Sequence, residues 1–305
     1  MTLQLFNTLS TQVEPLTPAD GKALTLYACG PTVYDYGHIG NFRTFVHVDL
    51  LRRFLEQQGV VVKHVMNITD VDDKIIRNAA AQGVSIADYT PRYERAFLED
   101  LRALGCLDPV IMPHATENIP EMVALIQKLE QRGLAYRTED GSWYFRIHGD
   151  PDYGKLSKKD LSGNTPGARV DVDEYEKDSA SDFAMWKAAK PGEHAWDTAL
   201  GHGRPGWHIE CSAMAMKYLG ETLDLHAGGR SVADDFVVDV GDVHDVLDGD
   251  ALLADDAAEH IDVEEGAEVA DVAVVVDGGA AAVHSQRFLV DGGECFNLSR
   301  SEERL

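Results

Sequence analysis

Two thiols and a histidine turn are the residues of this chain best suited to chemistry. Cys29 follows the run Ala23-Leu24-Thr25-Leu26-Tyr27-Ala28 and precedes Gly30-Pro31, and His38-Ile39-Gly40-Asn41 comes shortly after. A thiol so placed is a metal ligand, a nucleophile or a packing residue. Gly37 and Gly40 let backbone approach a phosphate closely, a helix beginning here offers N–H groups, and His38 can donate to phosphate oxygens as charge develops. Taken alone, the same triplet also describes a Gly-rich turn with a capping histidine. Cys211, within Gly206-Trp207-His208-Ile209-Glu210-Cys211-Ser212, is equally open between a ligand and a small buried residue on an amphipathic helix. Cys106 reads as packing, and Cys295 receives no role. The acidic run Asp70, Asp72, Asp73 suggests either Mg²⁺ or a solvated, helix-capping loop; Mg²⁺ needs convergent oxygens and phosphates, so capping is the expectation.

Such residues need a scaffold. Residues 23–28 form an apolar strand running into a Gly-Pro turn, and Asn41 to Gln57 carries Phe42, Phe45, Val46, Leu50, Leu51, Phe54 and Leu55 at helical spacing. A second strand is expected over residues 60–68, giving a strand-helix-strand unit with parallel pairing and its ligand-binding loops at the strand ends. Helical patterns follow at Asp88–Leu104 and Ile119–Gly133, then a hairpin about Thr138-Glu139-Asp140-Gly141. Residues 150–182 are polar, an excursion from the sheet. Apolar character resumes at Phe183-Ala184-Met185-Trp186-Lys187, a helix opens in Gly206–Met216 and ends near Gly220, and Leu223-Asp224-Leu225-His226 is the next strand.

The 305 residues suffice for a large core, and no apolar segment reaches bilayer-spanning length, so a cytoplasmic protein without membrane association is expected. The four cysteines lie far apart, which argues against a disulfide framework. The net charge of −25 is uneven: residues 230–305 hold 20 acidic residues against four arginines and no lysine, and so carry −16 of it. Nonspecific nucleic-acid binding, which relies on Lys and Arg displacing counterions, is disfavoured, although a local basic groove is not.

In Cys29–Asn41 the chain resembles the cysteinyl-tRNA synthetases, in which a zinc-ligand cysteine precedes the His-Ile-Gly-His-type nucleotide motif of the class I enzymes; Asn41 is the usual cysteinyl-type variant. Four further stretches match in order: residues 66–74 (Met-Asn-Ile-Thr-Asp-Val-Asp-Asp-Lys), 153–157 (Tyr-Gly-Lys-Leu-Ser), 182–187 (Asp-Phe-Ala-Met-Trp-Lys) and 206–214 (Gly-Trp-His-Ile-Glu-Cys-Ser-Ala-Met). The resemblance implies an α/β catalytic domain with a Rossmann-like parallel sheet over residues 1–229, interrupted by an insertion about 88–167. It also implies a monomer that activates L-cysteine with ATP and Mg²⁺ and passes it to tRNA(Cys). Its residue roles carry over as Gly30, His38, Gly40 and Asn41 for ATP, with the last three catalytic; Thr69, Trp207 and His226 for cysteine; and Cys29 and Cys211 for one Zn²⁺. Zinc gives this chemistry its selectivity, because a thiolate binds it far better than a hydroxyl does. Two other readings stand beside this one: a ligase joining cysteine to a sugar amine, and an inactive cysteine- or nucleotide-binding remnant.

Beyond Gly229 the pattern departs from the family. The positions at which the resemblance calls for a zinc-binding His and Glu hold Phe236 and Val240, so the zinc site is incomplete, with Asp235, Asp239 and His244 as possible substitutes. No lysine follows Lys217, so the lysine loop that would stabilise ATP phosphates is missing, a loss of several kcal/mol of barrier. The anticodon-binding region is missing too. Residues 230–305 read as an acidic tail, atypical or disordered, rich in Asp, Val, Ala and Gly. That monotony is what GC-rich DNA yields out of frame, and impaired activity is the expectation.

Overall fold

The computed structural model describes residues 3–7, 9–19, 21–153, 182–206 and 208–228, with the backbone of four later strands. Strands β1 (Gln4–Asn7) and β2 (Gln12–Pro15) form an antiparallel hairpin. The sheet that matters for function has β3 (Ala23–Ala28) at its centre, parallel to β4 (Val61–Met66) on one side and to β10 (Thr222–Gly228) on the other. Leu24, Leu26, Tyr27, Val65 and Leu225 are wholly buried, as expected of parallel strands covered on both faces. The carboxylate of Asp224 accepts from the Thr25 amide (2.7 Å), the Thr25 hydroxyl (2.9 Å) and the Ala19 amide (2.7 Å), which fastens β10 to β3.

Helix α1 (Ile39–Gln57) links β3 to β4, as the apolar spacing requires, and buries Phe42, Val48 and Leu55. Its Phe42 and Phe45 pack on Phe97, at ring separations of 5.5 and 4.9 Å. After β4 come α2 (Asp73–Gln82), α3 (Ile86–Tyr89) and α4 (Pro91–Ala103). The single helix expected over residues 88–104 is two, because Pro91 lacks the amide that would carry the first helix onward but suits the opening turn of the next. Next is α5 (Ile119–Gln131), with its predicted face of Met122, Val123, Leu125, Ile126 and Leu129 buried.

A second sheet, antiparallel, orders β5 (Ala135–Arg137), β6 (Trp143–Phe145), β7 (Phe183–Ala188), β9 (Gly201–Pro205) and β8 (Trp196–Thr198). The expected hairpin is β5–β6, paired Arg137 to Trp143. Helix α6 (Ile209–Leu219) then returns the chain to the first sheet, packing on α5 and over β3, β4 and β10.

Most of residues 230–305, and with them the expected disorder, lie outside the described residues. Strands nevertheless occur there. β11 (Val237–Asp242) pairs antiparallel with β10, β12 (Val274–Val275) pairs with β1, and β13 (Arg287–Val290) pairs with β14 (Glu294–Asn297). The outer edge of β10 is a row of backbone donors and acceptors, and pairing with it outweighs a weak local pattern. The register sets Asp239 opposite His226.

Candidate functional site: a thiol pair beside a capped helix

Cys29 continues β3 by one residue, its amide donating to the Ala227 carbonyl at 3.0 Å, so the parallel pairing of β3 with β10 fixes where its side chain begins. Cys211 arrives from elsewhere, on the first turn of α6. The two sulfurs stand 3.7 Å apart, far beyond the roughly 2.05 Å of a disulfide. Nε2 of His226, on β10, lies 3.6 Å from the Cys29 sulfur, and the His226 ring lies against Tyr27 with centroids 5.8 Å apart. Burial pushes the Tyr27 phenol well above its ordinary range, and the neighbouring Cys211 and Cys29 add to this.

The residue that joins these parts escaped the sequence reading. Asn67, just past β4 and 1 % exposed, accepts the Gly30 amide at 2.9 Å through Oδ1, and the Cys211 sulfur lies 3.9 Å from the same oxygen. Its Nδ2 donates to the Thr69 hydroxyl at 3.0 Å. Gly30 presses on the Asn67 backbone so closely that a Cβ there would sit 1.6 Å from the carbonyl oxygen. His226 thus stands beside the Cys29 sulfur, and Thr69 reaches the thiol pair through Asn67. Trp207 lies outside the described residues, though His208 beside it is a buried residue with φ +69°, a left-handed conformation rare outside glycine. That turn leads straight into the helix carrying Cys211.

The histidine turn caps α1. Nδ1 of His38 accepts the Gly40 amide at 3.1 Å, and Oδ1 of Asn41 accepts the His38 amide at 3.0 Å. Because a backbone N–H can only donate, Nδ1 must be the acceptor, and the proton of a neutral ring sits on Nε2. His38 and Asn41 are exposed, at the positive end of a 19-residue helix. A Cβ on Gly40 would lie 2.9 Å from Cε1 of the His38 ring, so glycine leaves room for the imidazole. Capping and chemistry are therefore not alternatives at this histidine.

The acidic loop is committed to protein partners. Asp70 accepts from the Thr116 amide (2.9 Å) and hydroxyl (2.6 Å), and burial holds its carboxyl above the usual range. Asp72 caps α2 through the amides of Lys74 (2.6 Å) and Ile75 (3.3 Å), with burial again raising it. Asp73 receives Lys187 of β7 at 2.8 Å and the Arg204 guanidinium of β9. Burial opposes ionisation there, but Lys187 and Arg204 prevail and hold the Asp73 carboxyl below its usual range. A lysine in the apolar run of residues 183–187 was the signal in the sequence that a buried acid must lie opposite. Among the described residues no group of three or more His, Cys, Asp or Glu side chains forms a metal-holding cluster; the thiol pair with His226 beside Cys29 is what the site offers.

Residues 15–235 match the family described as tRNA synthetases class I (C) catalytic domain. The chain is 62 % identical over 232 residues to a cysteine–tRNA ligase of Koribacter versatilis (strain Ellin345), covering 76 % of this chain and 47 % of that protein. It is 60 % identical over 229 residues to the cysteine–tRNA ligase of Solibacter usitatus (strain Ellin6076), covering 75 % and 49 %. With the cysteine–tRNA ligase of Leptospira interrogans serogroup Icterohaemorrhagiae serovar Lai (strain 56601) it shares 50 % over 228 residues, covering 74 % and 48 %. The chain spans about half the length of these curated relatives.

Proposed function

We propose that this chain, which belongs to the class I (C) tRNA synthetase catalytic-domain family, is the cysteine-binding and nucleotide-binding half of a cysteine–tRNA ligase. The observation that carries the reading is the approach of Cys29 and Cys211 to 3.7 Å. A zinc ion about 2.3 Å from each of two thiolates in tetrahedral geometry sets the sulfurs roughly 3.8 Å apart, so the pair fits one edge of such a site. Zinc bound there would supply a soft Lewis acid that favours a substrate thiolate over a hydroxyl.

Thr69 and His226 would border the bound cysteine, the role the resemblance also gives Trp207; the Thr69 hydroxyl is oriented by Asn67, and the His226 ring sits at the edge of the thiol pair. His38 presents Nε2–H to the ATP phosphates while Nδ1 holds the Gly40 amide, and the positive end of α1 favours the same anion. Gly30 keeps the backbone behind Cys29 clear of any side chain, and Asn41 locks the histidine backbone in place. ATP would bring its own Mg²⁺, since Asp70, Asp72 and Asp73 are already engaged. Within the matched residues, the phosphate contacts of activation fall to His38 and the positive end of α1.

Cysteine-dependent ATP–pyrophosphate exchange, measured with the full chain beside tRNA(Cys) charging, tests this. Exchange that needs cysteine and not serine supports the reading. Zinc and cysteine binding without exchange limits it to substrate capture, and absence of both overturns it.

A further inference from the structure

Asn67 is the residue at which the separate parts of the site meet. It is almost fully buried, and its carboxamide faces three of them: the turn behind Cys29 through the Gly30 amide (2.9 Å), Cys211 through a long contact to sulfur (3.9 Å), and Thr69 through its hydroxyl (3.0 Å). The orientation of the amide follows from chemistry. The Gly30 N–H can only donate, so Oδ1 must face it, which leaves Nδ2 to the Thr69 oxygen.

We propose that Asn67 is the positioning residue of the site: through one carboxamide it sets the relative placement of the Cys29 turn and the Cys211 thiol, and ties both to the pocket hydroxyl of Thr69. The inference rests on the reading of Cys29 and Cys211 as metal ligands. Two features argue that the position demands a side-chain oxygen acceptor. The contact to Gly30 leaves no space for slippage, because the Asn67 carbonyl already fills the volume where a Cβ of residue 30 would lie. Leucine has the shape without the polarity and leaves the Gly30 amide, and with it the Cys29 turn, without its acceptor. Aspartate keeps the acceptor toward Gly30, offers the Thr69 hydroxyl an acceptor in place of the donor, and adds a negative charge. A residue that orients ligands without touching the metal commonly governs affinity by tenfold to a hundredfold.

The test is titration of the full-length chain with Co²⁺ as a spectroscopic stand-in for Zn²⁺, following the thiolate-to-cobalt charge-transfer band, with Zn²⁺ affinity by chelator competition. The wild type is expected to bind one Co²⁺ with that band. N67L is expected to bind at least about tenfold more weakly with an altered band, and N67D to return to within a few-fold of wild type. Circular dichroism checks folding, and N67A replaces N67L should leucine not fold. A wild type that binds no metal overturns the thiol-site reading itself. A wild type that binds metal, with N67L or N67A matching it in affinity and spectrum, overturns the role of Asn67 alone; so does failure of N67D to recover affinity.

Discussion

Lys187 on β7 places its ammonium 2.8 Å from the Asp73 carboxylate at the start of α2, across 114 residues of chain. With Arg204 on the same carboxylate, this contact joins the antiparallel sheet to the loop that holds Asn67 and Thr69. Both cations are nearly buried, with side-chain exposures of 7 % for Lys187 and 9 % for Arg204, so the shared carboxylate matters more than in a surface pair, although Arg204 also has Glu193 at 3.6 Å.

Asp73→Ala therefore removes the carboxylate that two buried cations share, leaving Glu193 to Arg204, and a loss of about 3 kcal/mol in urea unfolding is expected. Lys187→Met should cost less, since Arg204 still neutralises the acid. Equal small losses for both would show that the contact is merely a surface pair.

His64 gives the fold an acid sensitivity. Its ring is buried, neither nitrogen has a hydrogen-bond partner among the described residues, and burial, with help from Arg52, pushes its pKa from the ordinary 6.5 to about 4. The folded state then resists a proton that the unfolded chain accepts, so stability is complete above about 6.5 and falls as pH drops toward 4, by about 3 kcal/mol in all. His114 acts in a different window: burial opposes its charge, but Glu94 prevails and raises its pKa, so its contribution is complete below 6.5 and is lost as pH rises through the higher value. Unfolding of H64L should lack the slope between 6.5 and 4 that the wild type shows; matching slopes would remove His64 from the account.

Cys29→Ser and Cys211→Ser should each abolish stoichiometric zinc in purified protein, while Cys106→Ser should leave it unchanged, because Cys106 lies beside Arg53 and Asp49, away from the thiol pair. Elemental analysis decides, and zinc retained by either of the first two variants would refute the assignment.

Gly30→Ala puts a methyl 1.6 Å from a backbone oxygen that has no room to yield. A destabilisation of at least about 3 kcal/mol is expected from denaturant unfolding. A variant as stable as wild type would mean that the Cys29 turn is looser than its geometry implies.

Similarity to the family extends to residue 235, while the composition is acidic from residue 230 and free of lysine beyond Lys217. We propose a break in reading frame, a rearrangement or a gene-prediction error near codon 230. Sequencing the gene and detecting tail peptides by mass spectrometry would decide: a clean frame with peptides from residues 231–305 would retire the inference.

Helices α1 and α6 were legible because each buries a periodic apolar face, strand β3 because it is a short apolar run ended by Gly30-Pro31, and Gly220 marks the end of α6 by chemistry local to it. The break at Pro91 was equally local and could have been read. β11 could not, since its existence depends on the edge offered by β10. The same division runs through the site. Motif and spacing singled out Cys29, Cys211, His38 and Gly40, because residue type limits the chemistry a side chain can do. They also pointed to Thr69 and His226 through resemblance. The sequence by itself therefore determined the ancestry and the inventory of reactive groups. Only the tertiary structure decided that sulfurs 182 positions apart meet at 3.7 Å, that Asn67 ties them to Thr69, and that Asp73 faces Lys187 and Arg204 instead of a metal. The physical reason is that these contacts join different strands and helices, and their distances are set by how the parallel sheet, α6 and the second sheet pack, which no local run of residues encodes.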